Sequence, residues 1–235
     1  MTAATRGEIG SNWAARVRSA RQRRDGPNPV SDRCHGGRML VDVGCGFGAF
    51  LGQLHDRYDA LVGIDFVPLP RSEFDNVHLV RGDLRQGLPL SGDVADTVTA
   101  IEVIEHVADP ILLVQEAFRI LRPGGELMLT TPNIRYVRHA FRLIVQGRGP
   151  KTSGLNDDRL LWDGGHIHYF TSKDLVALLR EAGFVSVEAS ALINARGFLP
   201  LFRRFLSSRA ANPVVREFLT GRLLVAGKKP AEPAP

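Results

Sequence analysis

Three side chains that can bind a metal ion or move a proton lie within five residues of one another in the stretch TAIEVIEHVADP, residues 99–110. An apolar run of strand character ends at Glu102, and Glu105 and His106 follow three and four residues later. Carboxylate and imidazole groups are ligands for divalent ions, and histidine also serves as a general base near neutral pH. The spacing therefore predicts either a ligand cluster or a polar cap at the surface.

The elements that must position these groups alternate between strand and helix patterns. Strand-like apolar runs occur at 39–44, 60–66, 77–83, 97–103, 126–132, 184–190 and 222–228. Helical patterns at 110–121 and 171–183 begin with capping residues, and the first has a proline at its first position. This alternation predicts an α/β fold with a doubly wound, mostly parallel sheet.

A glycine-rich turn follows the first strand, in VDVGCGFGAF at 41–50. Gly44, Gly46 and Gly48 allow a tight turn and a close approach of backbone N–H groups to a ligand. Two of these glycines also match the dinucleotide fingerprint G-x-G-x-x-A with Ala49, so the motif alone leaves the nucleotide-like ligand open. Asp65 comes at the end of the next strand, where a ribose diol would lie.

Length and composition predict one domain with additions at its ends. The chain has 235 residues, 44% of them hydrophobic, which suffices for one buried core. The two cysteines, Cys34 and Cys45, cannot form a disulfide framework, and no run of about 18 apolar residues predicts a transmembrane segment. With no apolar secretory signal at the N-terminus, we expect a cytoplasmic protein.

We divide the chain into residues 1–37, a basic arm or capping helix, a domain at 38–229, and a Pro-rich disordered tail at 230–235. The arm carries seven arginines against three acidic residues, a pattern that attracts phosphate, nucleic acid or an acidic partner. Such charge runs are more often simply solvated, which is the interpretation we favour.

Two inserts interrupt the alternation. The segment 133–165 follows a strand end and places Ile134, Val137, Phe141 and Ile144 on one helical face, so it is expected to cover a substrate. The segment 194–213 is apolar with two arginines. It could contact a membrane surface or the second subunit of a homodimer, although such helices more often pack on their own core.

In this order, the motifs VDVGCGFG, GID, GDL, AIEVIEHV and LRPGGELMLTTP resemble those of class I S-adenosylmethionine-dependent methyltransferases, over about residues 38–190. The resemblance implies a seven-stranded sheet with an antiparallel last strand at 222–228. It implies that the glycine loop holds the methionyl part of the cofactor, that Asp65 binds the ribose and that Asp83 meets the adenine. The cofactor-binding residues it assigns are Asp42, Gly44, Cys45, Gly46, Gly48, Asp65, Phe66, Asp83, Leu84 and Glu102.

The pattern E-x-x-E-H resembles two metal-assisted branches of that family, the ubiquinone-pathway and the small-RNA 2′-O-methyltransferases. The resemblance implies that Glu102, Glu105 and His106 bind a divalent ion together with a distant histidine, for which His166 and His168 are the candidates. Carboxylate with imidazole suits Mn²⁺, Fe²⁺, Co²⁺ or Zn²⁺ better than Mg²⁺, although a hydrated Mg²⁺ also fits.

The function expected from these residues is O-methylation of a saccharide or another vicinal diol. A metal would lower the pKa of one hydroxyl, while Tyr136, Trp162 and Tyr169 stack on the acceptor. Three alternatives stay open: a metal-independent methyltransferase, an RNA 2′-O-methyltransferase, and an NAD-dependent oxidoreductase. The histidines available as a general base in the first alternative are His106, His139, His166 and His168.

Overall fold

The computed structural model describes residues 28–67, 72–152, 163, 165–192 and 213–231. Its strands are β1 Gly37–Val43, β2 Tyr58–Asp65, β3 Val77–Arg81, β4 Ala95–Ile101, β5 Leu121–Pro132, β6 Val185–Ala191 and β7 Arg222–Lys228. They form one sheet in the order β3-β2-β1-β4-β5-β7-β6. Strand β7 pairs antiparallel with both neighbours, and the other pairings are parallel, so the predicted fold class is confirmed.

The strand β5 begins earlier than the sequence predicts. It starts at Leu121, directly after a helix, instead of at Glu126. Leu121 pairs with Ala95 on β4, and the register then shifts before Thr97 pairs with Glu126. The segment RPGG therefore lies inside β5, where it forms an irregularity in the pairing with β4. It does not separate the preceding helix from the strand.

In the described residues, four α-helices accompany the sheet: α1 Ala49–Gly52, α2 Pro110–Ile120, α3 Val137–Ile144 and α4 Ser172–Glu181. The predicted caps are present at the two that cover the core. Asp109 accepts a hydrogen bond from the Leu112 N–H at 3.0 Å at the start of α2. Thr171 and Asp174 form a reciprocal capping box at the start of α4.

The sheet is covered on both faces. Helices α2 and α4 contribute Leu113, Leu175 and Leu179 to one hydrophobic cluster, with inward side chains of β1, β4 and β5. The second cluster includes Leu51 of α1, together with Val30 and Cys34. The last residues of the predicted N-terminal arm therefore pack against the domain.

Several expectations concern residues outside the described part of the chain. They include nearly all of the arginine-rich arm, Trp162, most of the second insert and the end of the Pro-rich tail. Among the helices that the structure does describe, none combines the length and the apolar character needed to cross a bilayer.

Candidate active site

The predicted functional residues meet along the carboxyl edge of the sheet. Gly44 follows β1, Asp65 ends β2, Glu102 follows β4, and Asn133 follows β5. In open α/β sheets this edge, at the point where the strand order reverses, is where ligands bind. Here the order reverses between β1 and β4, which places the glycine loop beside the acidic cluster.

The glycine loop is held tightly by its own protein. Gly44 has a φ of +72°, and a Cβ on it would lie 2.4 Å from Cγ2 of Val103, so a larger residue would be both strained and crowded. The N–H groups of Gly44 and Cys45 donate to the Ile64 carbonyl, and that of Gly48 donates to the Cys45 carbonyl. The loop therefore offers a ligand mainly its close backbone surface.

Asp65 joins this loop to the end of β2. One carboxylate oxygen accepts from the Gly46 N–H at 2.8 Å, and the other accepts from the Val67 N–H at 3.1 Å. Because a carboxylate has about four acceptor positions, these two bonds leave capacity for two hydroxyl donors. This arrangement is compatible with the predicted ribose contact.

The other predicted cofactor residues divide into buried and accessible groups. The Asp42 carboxylate is buried and accepts from the Thr99 hydroxyl at 2.7 Å. The Cys45 side chain is buried against Gly63, as expected of a small packing residue rather than a nucleophile. Phe66 is 61% exposed beside Asp65, and the Arg81 guanidinium carbon lies 6.0 Å from the centroid of its ring.

Asp83 and Leu84 lie at the end of β3, on the far side of the loop. Asp83 caps the short 3-10 turn that begins at Leu84, and it forms an ion pair with Arg85 at 2.6 Å. The hydrogen bonds from Arg85 lower the pKa of the Asp83 carboxyl, so it is ionised at neutral pH. It can accept a hydrogen bond from an amino group, and its predicted adenine contact stays a prediction.

Glu102 adopts an unusual conformation at the end of β4. Its φ of +57° is uncommon for a residue with a side chain. The carboxylate accepts from the Thr130 hydroxyl at 3.0 Å and forms an ion pair with Arg222 at 3.2 Å. These bonds engage Glu102 with β5 and β7, and it is not part of the ligand cluster described next.

Glu105 is the most deeply buried acidic residue of the site, with 1% of its surface exposed. Its Oε2 accepts from the Thr131 hydroxyl at 3.0 Å, whereas its Oε1 has no hydrogen-bond partner among the residues that the structure describes. Burial, reinforced by the negative charge of Glu102, raises the pKa of Glu105 to about 7. This depth is inconsistent with the alternative that Glu105 and its neighbour form a surface cap.

Two imidazoles lie next to that carboxylate. Ligand atoms of Glu105, His106 and His166 all lie within 4.8 Å of one another. The two rings meet edge to face with centroids 4.6 Å apart, and Nε2 of His166 is 3.9 Å from Oε1 of Glu105. His106 is held by a hydrogen bond between its Nδ1 and the Gly165 carbonyl at 3.0 Å.

The fifth predicted ligand, His168, lies outside this cluster, but its backbone N–H helps to hold the turn that carries Glu105. The N–H groups of Ile167 and His168 both donate to the Glu105 carbonyl, at 2.9 and 3.2 Å. This pairing fixes the segment HIHYF against the acidic turn, and the segment is no ordinary alternating strand. The buried Nε2 of His168 has no hydrogen-bond partner.

Three residues that anchor the cluster were not predicted from the sequence. Thr131 holds Glu105, while Thr152 and Asp163 contact His166. The sequence has no local signal for the last two, because ten residues separate them and neither belongs to a motif.

The insert contributes helix α3 beside this site. Its predicted apolar face is present, but Val137, Phe141 and Ile144 are exposed among the described residues, so this face does not pack into the core. A surface pocket of about 470 Å³ adjoins it. The pocket is lined by Val137, Arg138, Phe141, Arg142 and Gln146.

Comparison with known proteins identifies the family. A family model described as a methyltransferase domain matches residues 14–189, about three quarters of the chain. The chain belongs to the class I S-adenosylmethionine-dependent methyltransferases. The glycine motif that also fits a dinucleotide fingerprint therefore belongs to a methyltransferase and not to an NAD-dependent oxidoreductase.

Relatives of this methyltransferase agree with the assignment. A ubiquinone biosynthesis O-methyltransferase of Azorhizobium caulinodans is 31% identical over 88% of the chain and 79% of its own length. A probable S-adenosylmethionine-dependent methyltransferase of Mycolicibacterium smegmatis is 35% identical over 44% of the chain and only 41% of its own length. A methyltransferase structure from Mesorhizobium loti shares the fold with a TM-score of 0.56 at 22% identity, covering 83% of this chain and 92% of that one.

S-adenosylmethionine is the cofactor of this family, and the loop side of the site fits it. Gly44 makes the tight turn at a position where Val103 leaves no room for a Cβ, and Asp65 retains acceptor capacity beside the loop. On the other side, the donor set of one carboxylate and two imidazoles, with an unpaired buried oxygen, fits a divalent cation.

Proposed function

We propose that this methyltransferase transfers the methyl group of S-adenosylmethionine to a hydroxyl oxygen of a saccharide or another vicinal-diol small molecule, assisted by a divalent ion at Glu105, His106 and His166. The observation that carries the proposal is the buried Oε1 of Glu105, which has no hydrogen-bond partner in the described part of the chain and lies beside two imidazoles. A buried carboxylate in such surroundings is stable only when it is protonated or paired with a cation.

The ligand set in this proposal is narrower than the one expected from the sequence. Glu102 is engaged by Arg222 and Thr130, and His168 lies outside the cluster. When bound, the ion would supply Lewis acidity that lowers the pKa of a hydroxyl, and three protein ligands leave positions for water or for two adjacent hydroxyls. Mn²⁺ and Zn²⁺ suit these donors best, with hydrated Mg²⁺ as a third choice.

The residues of the chain have separate tasks in this proposal. Thr131 fixes the Glu105 carboxylate, and the Gly165 carbonyl fixes the His106 ring, so the donors are preorganised. In the absence of an ion, His166 or His106 would take the hydroxyl proton as general base. Oxygen as the methylated atom is supported by the Azorhizobium caulinodans relative, a ubiquinone biosynthesis O-methyltransferase.

The acceptor is proposed to lie under the insert. Tyr136, directly before α3, and Tyr169, after the end of the insert, offer rings for stacking, and Arg138 and Arg142 line the pocket on α3. Two guanidinium groups beside apolar side chains favour an acceptor that carries an anionic group. An acceptor that is both ring-shaped and acidic would use all of these features.

Mass spectrometry with S-adenosylmethionine and a panel of saccharides, catechols and short RNAs tests the proposal. We expect a gain of one methyl group on a diol acceptor, and little gain on its monodeoxy analogue. Activity should disappear in excess chelator and return with Mn²⁺ or Zn²⁺. Full activity in chelator would overturn the ion's role, and equal rates for the diol and its monodeoxy analogue would overturn the diol.

A further inference from the structure

The buried Asp163 and the half-buried Thr152 form a hydrogen-bonded pair beneath His166. Asp163 is 5% exposed, and both of its carboxylate oxygens lie 2.8 Å from the Thr152 N–H. The Thr152 hydroxyl donates to the same carboxylate and is also hydrogen-bonded to Nδ1 of His166. Direct contact between the carboxylate and that nitrogen is longer, at 3.6 Å.

The order of donors and acceptors in this chain fixes the proton on the His166 ring. An ionised carboxylate only accepts hydrogen bonds, so the Thr152 hydroxyl donates its one hydrogen bond to Asp163. The hydroxyl oxygen must then accept from Nδ1 of His166, which carries the proton of the neutral imidazole. Its Nε2 consequently presents a lone pair.

That lone pair faces the unpaired oxygen of Glu105. Nε2 of His166 and Oε1 of Glu105 are 3.9 Å apart, too far for a hydrogen bond between them. Two acceptor atoms that face each other in a buried site leave room for a cation or a donated proton. The orientation of His166 therefore decides whether a cation or a proton can be bound between Nε2 and Oε1.

We propose that Asp163 and Thr152 are positioning residues, which hold His166 in the Nδ1–H tautomer and direct its Nε2 lone pair toward Glu105. The inference rests on the proposed function, in which His166 is a ligand or base.

Nitrogen NMR of the imidazole rings tests the inference without any ion. In chelated protein labelled with ¹⁵N-histidine, and with His166→Gln to assign the signals, wild-type His166 should show a protonated Nδ1 and an unprotonated Nε2. Thr152→Val removes the hydroxyl, so we expect the Nε2–H tautomer to rise to a detectable population. Thr152→Ser keeps the hydroxyl and should restore the wild-type pattern.

Metal titration gives the second readout. Asp163→Asn should weaken Mn²⁺ or Zn²⁺ binding about 10- to 100-fold in calorimetry, because outer partners orient and activate a histidine ligand. Asp174→Asn is the matched control. Asp174 likewise accepts from the N–H and the hydroxyl of a threonine, Thr171. This pair caps α4 and does not orient His166. Asp174→Asn should lower the melting temperature and leave metal affinity unchanged.

The possible outcomes separate this inference from the proposed function. If the wild-type protein binds no ion but Thr152→Val changes the tautomer, the positioning role stands and the ion's role falls. An unchanged tautomer in both Thr152→Val and Asp163→Asn would overturn the positioning role. If Asp163→Asn does not fold, the pair Thr152→Val and Thr152→Ser still decides the question.

Discussion

The two halves of the sheet edge differ in how completely their polar groups are paired. On the side of β1 and β2, the loop amides described above and the Asp65 carboxylate are hydrogen-bonded within the protein. On the side of β4, β5 and helix α3, buried side-chain atoms of Glu105, His139 and His168 have no hydrogen-bond partner among the described residues. One further such atom occurs among the described residues, Oδ1 of Asp96, and it lies 2.5 Å from the Arg122 guanidinium.

This difference indicates different ways of meeting a ligand. On the loop side, the polar groups described above are hydrogen-bonded before the cofactor binds, so this side is preorganised. It can bind the cofactor through surface contact and the spare acceptor positions of Asp65. The opposite side carries buried polar atoms that each disfavour the folded state by about 1–3 kcal/mol while they are unpaired. Such atoms are stabilised when a ligand completes them, which is expected where the chemistry takes place.

The largest effect is expected from Glu105→Gln, which tests the unpaired side. The substitution keeps the shape of the side chain and the bond to Thr131 while it removes the charge. Outer partners of a metal ligand contribute about 10- to 100-fold to metal affinity or activity, so loss of the ligand itself should exceed that in both. Calorimetry with Mn²⁺ or Zn²⁺ and single-turnover assays measure the two quantities.

Glu102→Gln is the matched control for that change. Glu102 is the neighbouring acid, but its charge is paired with Arg222. It should lower metal affinity less than Glu105→Gln does. If the two variants lose affinity equally, Glu102 is a full ligand and the narrower cluster is wrong.

Gly44→Ala tests whether the loop side is as rigid as its pairing indicates. The new methyl group meets Val103 at 2.4 Å, and the backbone keeps a φ of +72°. Left-handed strain and overpacking together should destabilise the protein by about 2–4 kcal/mol. Urea unfolding measures the loss, and binding of S-adenosylmethionine should fall with it.

A double-mutant cycle with Val103→Ala separates the two causes. Truncation of Val103 relieves the crowding but not the backbone strain, so the double variant should recover part of the lost stability. Strict additivity would show that the loop moves away from Val103, and would contradict the view of a rigid loop.

The pH dependence of the free energy of unfolding should reveal the raised pKa of the Glu105 carboxyl. Burial raises the pKa of Glu105 from 4.5 to about 7, so in chelated protein the unfolded state loses its proton first as the pH rises. The stability from this group is fully present below pH 4.5 and is lost as the pH passes through 7. Between pH 4.5 and 8 the wild-type protein should therefore lose about 3 kcal/mol relative to Glu105→Gln.

Urea unfolding of both proteins at several pH values measures this difference. Groups that do not interact with Glu105 contribute to both curves alike, so the difference between the curves reports Glu105 together with groups coupled to it, such as Glu102. Parallel curves would mean that Glu105 is ionised in the folded protein, and that another group compensates its charge.

The sequence predicts the strands and caps well because these depend on local periodicity and on single residues such as Asp109 and Thr171. It also brings together Glu105 and His106, which are neighbours in the chain. The sequence does not predict contacts between residues that are far apart in the chain and meet only in the folded protein. Arg222 reaches Glu102 across β5 and β7, and Asp163 reaches His166 through Thr152, contacts for which neither segment carries a signal.

The smallest expected effect concerns Asp65, whose carboxylate joins the paired loop to the predicted ribose position. Asp65→Ala removes the acceptor of the Gly46 and Val67 N–H groups together with that of the ribose hydroxyls. Binding of S-adenosylmethionine should weaken by about 1–3 kcal/mol, and Asp65→Asn should lose less because it keeps one carbonyl acceptor. Calorimetry with the cofactor and with its demethylated product measures both variants.

Asp174→Ala provides the control, because Asp174 also accepts from a backbone N–H but lies in the cap of α4. It should reduce stability and leave cofactor affinity unchanged. If Asp65→Ala binds the cofactor as tightly as the wild-type protein does, the ribose lies elsewhere along the edge. The carboxylate would then serve only to tie the glycine loop to β2, and the completeness of that side would reflect loop stability instead of cofactor binding.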